Sequence, residues 1–134
     1  MKFSTGIILL DSNSDPKMFI FSIYCPPDNI RKKQALLELN QLIDIINKSY
    51  ANPKILIAGD FNLDLTTYKL SNKLNLDKVS YKILTRRDGR GTFINHTSRQ
   101  EDRKPIDGSI VIGPIVIKSH NFTRPIGGTD HLTQ

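Results

Sequence analysis

The chain of 134 residues has no tryptophan and one cysteine, Cys25. A lone thiol excludes an internal disulfide and any zinc site built on several cysteines. Long hydrophobic runs are scarce too. Gly6 to Leu10 stops at Asp11, too short for a signal h-region or a membrane span. No membrane partner is expected, and the setting expected is intracellular, the nucleus included. Acidic residues are outnumbered, with thirteen Asp and Glu against nineteen Lys and Arg, giving a net charge of +6. That balance favours a polyanionic partner such as nucleic acid. No internal repeat or low-complexity tract is visible. The length fits one domain or part of one.

What is present alternates between strand and helix patterns. Gly6 to Leu10 and Met18 to Tyr24 read as strands around the turn-rich Asp11 to Pro16, and their spacing predicts a hairpin. Pro26 and Pro27 end the second strand, because proline cannot donate to a ladder. Asp28 or Asn29 can then cap a helix. Ala35, Leu36, Leu39, Leu42, Ile43 and Ile46 follow at steps of three and four, so they share one helical face. Lys54 to Ala58 shows no polar alternation, which predicts a strand covered on both sides. A weaker helical stretch is expected near Tyr68 to Leu76. Strands are expected over Val79 to Leu84, Thr92 to Ile94, Ile106 to Ile112 and Ile115 to Lys118. The mixture indicates an α/β or α+β layered domain.

Three places could carry chemistry. Asp60 follows the covered strand, where ligands of α/β sheets gather. Asn62, two residues on, can face the same way and donate to an oxyanion. The competing reading is an Asx-turn that closes the strand, and "DFN" alone favours it. Asp130-His131 follows two glycines, and a carboxylate beside an imidazole can join metal binding to proton transfer. A loop Asp-His is more often solvated surface. Asp107 sits in an apolar strand, where an acid is costly unless partnered. It is either an edge residue in water or a carboxylate orienting His131. Cys25 reads as a small filler at a strand end, since no basic partner accompanies it. Arg86, Arg87 and Arg90 form a basic loop, read equally well as solvated charge or as a backbone-tracking nucleic-acid contact.

The order "GDFN" (59–62), "ID" (106–107) and "TDH" (129–131) resembles the endonuclease/exonuclease/phosphatase superfamily of metal-dependent phosphodiesterases. "SIYCPP" (22–27) with its following helix, and "GTFIN" (91–95), look most like endonuclease domains of LINE-type retrotransposons. The resemblance covers about 22–131. It implies a two-sheet, four-layer sandwich, of which 1–134 would be a single partial domain without its N-terminal half. It implies that Asp60 activates or orients the attacking water and that Asn62 contacts the scissile phosphate. Asp130 would belong to the metal site together with Asp60. His131 would be the catalytic histidine, Asp107 its carboxylate partner, and Tyr24 a neighbour of the phosphate. The implied cofactor is Mg²⁺, with Mn²⁺ as a substitute, and the implied substrate is DNA.

The pattern departs from the family in three respects. No Asn or Glu precedes Tyr24 in a matching context, so the chief metal-ligating glutamate has no counterpart. Gly108 replaces an aromatic residue, and Pro27 an asparagine. The expected behaviour is that of a fragment with little activity alone, self-associating through an exposed sheet face or completed by the missing half. A non-catalytic binding remnant and a phosphatase of the same superfamily are the alternatives.

Overall fold

The computed structural model describes residues 6–10 (backbone only), 18–66, 74, 76, 80–86 and 105–121. Five strands and one helix lie within them. They are β1 (Gly6–Leu10), β2 (Met18–Tyr24), α1 (Asn29–Ser49), β3 (Lys54–Asp60), β4 (Tyr81–Thr85) and β5 (Asp107–Ile112). One sheet holds all five strands in the order β1-β2-β3-β5-β4. β1 and β2 form the antiparallel hairpin expected from their spacing. β2 and β3 run parallel, joined by α1 as the crossover. β5 is antiparallel to both of its neighbours, β3 and β4.

The helix forms where the apolar spacing places it. Asp28 is its N-cap, and its side chain accepts from Arg31 N at 2.9 Å. This satisfies one of the four N–H groups that a helix start leaves without intrahelical partners. Ala35, Leu36, Leu39, Ile43 and Ile46 are buried, and Leu42 packs against the same core. They meet Phe19, Phe21 and Ile23 of β2, Ile55 and Ile57 of β3, and Ile110 and Ile112 of β5. The core is therefore the layer between α1 and one face of the sheet. Phe61, Leu65, Leu74 and Leu76 extend it past the end of β3.

The other face follows from the register. Ile20, Leu56 and Val111 form one row across β2, β3 and β5. Ser22, Ala58 and Ser109 form the next, and Tyr24, Asp60 and Asp107 the last. Along the strands this face passes from apolar to polar to ionisable. Ile20, Leu56 and Ala58 on it are half-buried.

One expected strand is absent. The chain at 115–121 carries no ladder although Ile115 to Lys118 is apolar enough for one. Ile115 N donates to Gly113 O at 2.9 Å, so the chain turns tightly after Gly113-Pro114 and leaves the sheet. Both long edges of β5 are already taken by β3 and β4. The Thr92–Ile94 strand and most of the helical stretch near 68–76 lie outside the described residues. No helix among the described residues is long and apolar enough to cross a membrane.

Candidate active site

Tyr24 ends β2, Asp60 ends β3 and Asp107 begins β5, so the sheet delivers all three to one end and one face. Hydrogen bonds beyond the ladders stitch these strand ends together. Cys25 N donates to Asp60 O at 2.7 Å, Phe61 N to Ile106 O at 2.9 Å, and Leu65 N to Pro105 O at 3.0 Å. The Thr85 hydroxyl donates to the Asp107 carbonyl at 2.8 Å, which fixes the start of β5 from the side of β4.

The register sets how close the two acids are. Phe61 and Ile106 share a ladder hydrogen bond, so the Asp60–Asp107 pair next to them is a non-hydrogen-bonded pair. In such pairs the Cα atoms lie about 4.5 Å apart and the side chains are nearest. Like charges in that position repel. Asp107 is only 6% exposed, while Tyr24 is 47% exposed. The row thus grades from solvent at Tyr24 to the interior at Asp107.

Two glycines make the approach of these strands possible. A Cβ on Gly59 would run into the Ile23 carbonyl oxygen, and Gly59 has φ +144°. A Cβ on Gly108 would lie 2.5 Å from Leu65 Cδ1 and 2.6 Å from the Leu84 carbonyl. An aromatic side chain cannot stand at 108, which accounts for that departure from the family pattern.

At the end of β3 the Asx-turn is present. Asn62 N donates to Asp60 Oδ1 at 2.8 Å, with Asn62 at φ 45°. The Asn62 amide also donates to Cys25 O at 2.5 Å and to Asp60 Oδ2 at 3.3 Å. The closing turn thus lies at the same strand ends as the Tyr24–Asp60–Asp107 row.

Cys25 is fully buried. Burial first, then the negative charge of Asp60, push its thiol up to about 12, against a smaller pull downward from Lys32. A neutral buried thiol is no nucleophile, in line with its reading as a filler.

Arg86 follows β4 directly and is half-buried. Arg87, Arg90, Asp130 and His131 lie outside the described residues. Among the described residues no group of three or more His, Cys, Asp or Glu side chains gathers as a metal site. The donor set nevertheless suits a hard cation, because Mg²⁺ is commonly held by one or two carboxylates and keeps several waters. A cation beside two carboxylates in one cross-strand row would offset their like charge. A groove of about 710 Å³ beside the first half of α1, lined among others by Ile30, Lys33 and Leu37, includes no residue of the row.

Sequence reasoning did not single out Thr85, Gly59 or the Cys25 carbonyl. Gly59 carried a signal, a glycine within an otherwise apolar strand. The other two act through contacts that only the strand register reveals.

A single sheet ending in such a row is the half-sandwich of an endonuclease/exonuclease/phosphatase-type domain. Solved structures similar to it include an endonuclease/exonuclease/phosphatase from Bacteroides vulgatus, with a TM-score of 0.57 and 16% identity, covering 91% of this chain and 49% of that one. The mannosyl-6-phosphatase of Bacteroides thetaiotaomicron is similar with a TM-score of 0.52 and 17% identity, covering 87% of this chain and 49% of that one. The chain spans about half the length of these structures. In sequence, residues 18–133 match the endonuclease-reverse transcriptase family, and the chain belongs to that family. An uncharacterized protein of Acanthamoeba polyphaga mimivirus is 36% identical over 77 residues, which is 56% of this chain and 28% of that protein.

Proposed function

We propose that the chain supplies the Tyr24–Asp60–Asp107 edge of a metal-dependent phosphodiesterase site acting on DNA, of the LINE endonuclease type. The observation that carries this reading is the cross-strand row itself. Two carboxylates stand side by side at the end of a sheet, with a solvent-facing tyrosine completing the line. Membership of the endonuclease-reverse transcriptase family supports nucleic acid as the substrate class. So does the net charge of +6.

Asp60 and Asp107 would hold Mg²⁺, or Mn²⁺ in its place, together with Asp130. The ion would supply neutralisation of the phosphate charge and a lowered pKa for water. Asp60 would orient the attacking water from the strand end. Asp107 is also the carboxylate partner expected for His131, whose imidazole would move the proton. Tyr24 points its hydroxyl-bearing ring to solvent at the open end of the row, where a phosphate arrives. Arg86, with Arg87 and Arg90, would track the strand backbone. Without a counterpart of the family's glutamate, the chain alone would hold such an ion loosely.

The test is nicking of supercoiled plasmid by the purified chain with Mg²⁺, beside Asp60→Ala. Weak nicking abolished by Asp60→Ala is the expected result. Nicking that survives Asp60→Ala would remove the row from the chemistry.

A further inference from the structure

The outer side of α1 carries apolar residues that its packing on the sheet does not use. Ile30 is 81% exposed, Leu37 51% and Ile45 59%. They lie on the side of the helix opposite the buried Leu39 and Ile46, and their spacing puts them in one stripe. Gln34 and Gln41, both exposed, fill the turns between them. Single exposed apolar residues are normal on a protein surface. This set differs in its order. It reads Ile-Gln-Leu-Gln-Ile from either end, and the pairs Ile30/Ile45 and Gln34/Gln41 are both centred within one residue of Leu37. A two-fold axis needs such a stripe, because each residue then meets its own kind on a second copy running the other way.

Charge and shape follow the same order. Lys33 and Asp44 are exposed on one flank of the stripe. In an antiparallel helix pair residues of the same flank meet, so each Lys33 faces the Asp44 of the other copy. The groove of about 710 Å³ includes Ile30, Lys33, Gln34 and Leu37, and its lining along α1 ends at Asn40. The second copy brings to that groove the other half of the stripe, with Gln41, Asp44 and Ile45. Gln34 Nε2 donates to Glu38 Oε1 at 3.0 Å, which ties Glu38 to its own helix and leaves the Gln34 oxygen to accept from Gln41 of the copy.

We propose that the outer face of α1 is a homodimer surface. Two copies pair antiparallel about a two-fold axis at Leu37, with Ile30 on Ile45, Gln34 beside Gln41 and Lys33 against Asp44. One helix pair buries less than the ~800 Å² per partner of a standard interface, so the dimer exchanges readily with monomer. α1 starts at the Tyr24 end of the sheet. Antiparallel pairing therefore carries the two Tyr24–Asp60–Asp107 rows to opposite ends of a helix pair about 30 Å long. The pairing does not depend on the chemistry of those rows.

The experiment uses the whole chain. Cys25 is buried, so a thiol placed on α1 reports alone. A short bis-maleimide is expected to link Leu37→Cys to its own copy about tenfold faster than Ser49→Cys, an exposed position off the stripe. Ile30→Cys and Ile45→Cys should link to each other when mixed, and neither to itself. All four positions are exposed, so circular dichroism should match wild type. Self-linking of Ile30→Cys at the Leu37→Cys rate would mean a parallel pair and would overturn the proposal. Leu37→Cys linking no faster than Ser49→Cys would leave the stripe to a helix of a different protein and would overturn it too. Sedimentation gives a second readout. Lys33→Glu and Asp44→Lys should each weaken association by about threefold, and the double variant should restore it. A double variant weaker than either single one contradicts the antiparallel register. The half-buried face of the sheet is a separate route to association, so Ile20→Lys should leave the Leu37→Cys crosslinking rate within about twofold. Loss of that crosslink in Ile20→Lys would place the contact on the sheet and overturn pairing through α1.

Discussion

At Gly59 a hydrogen stands where any other residue would place a carbon into the Ile23 carbonyl. Gly59→Ala adds that clash to a φ of +144°, outside the range of L side chains. A destabilisation of roughly 2–4 kcal/mol is expected, read from urea unfolding. A variant within 0.5 kcal/mol of wild type would show that β2 and β3 can separate there at little cost. Cys25 yields a prediction in pH. Its thiol is pushed up to about 12 from an ordinary 9.0, chiefly by burial. The unfolded chain therefore loses this proton at lower pH than the folded one. The contribution to stability is complete below about pH 9 and falls as pH rises toward 12, by at most ~1.4 kcal/mol per pH unit. Urea midpoints at pH 8 and 10.5 should drop further for wild type than for Cys25→Ala. Equal drops would mean that the thiol ionises as in a peptide. At this scale the sequence identified Tyr24, Asp60 and Asp107 as candidates. The family order implied that they share one site; what the sequence left open was the register that sets Asp60 opposite Asp107, because strands far apart in sequence pair by a register that no local pattern states. It also posed the turn and the chemistry at Asn62 as rivals; the Asx-turn is present, and its hydrogen bonds also hold the Asp60 carboxylate.

Among the elements, α1 was the most legible. Its apolar residues recur at the helical period, and a partner layer was required to bury them. The structure supplies that layer as the β2–β3–β5 face. The Asp28 cap matters more than usual here. Arg31, Lys32 and Lys33 crowd the first turn, which has no acidic residue, and cations at that end oppose the helix dipole. Asp28→Ala should cost about 1 kcal/mol or slightly more. The check is chemical unfolding beside Asp44→Ala, a mid-helix carboxylate whose removal should cost less. Failure of Asp28→Ala to exceed that control would show that the cap bond to Arg31 N is idle. The Ile115–Lys118 strand misled because composition reports the wish to be covered and says nothing of a free edge. Gly113 turns the chain at φ +86°, packed on Pro53 O, and carries it away from the sheet.

For the molecule as a whole, one layer of helix covers one face of the sheet, while Ile20, Leu56 and Ala58 stand half-buried on the other. The solved structures it resembles are about twice as long. An incompletely covered apolar face favours association. The purified chain should show concentration-dependent self-association by sedimentation, and Ile20→Lys should shift it toward monomer. A monomer at high concentration in wild type would contradict that use of the face. The half-sandwich was readable in sequence from the order of its motifs. The extent of cover over the second face was not, since it depends on packing among segments with no periodic signature.

The position of β5 has a consequence for how the molecule is made. β1, β2, α1 and β3 are contiguous in sequence, so a synthesising chain can assemble them while the rest is still emerging. β5 must then thread between β3 and β4, a long-range pairing that waits on loop closure. Asp60 would spend that interval beside a vacant edge, and Asp107 would reach it only at the last docking event. The acidic pair would thus be a clock for completion. Any intermediate caught before that step would carry a finished helix and hairpin but no site.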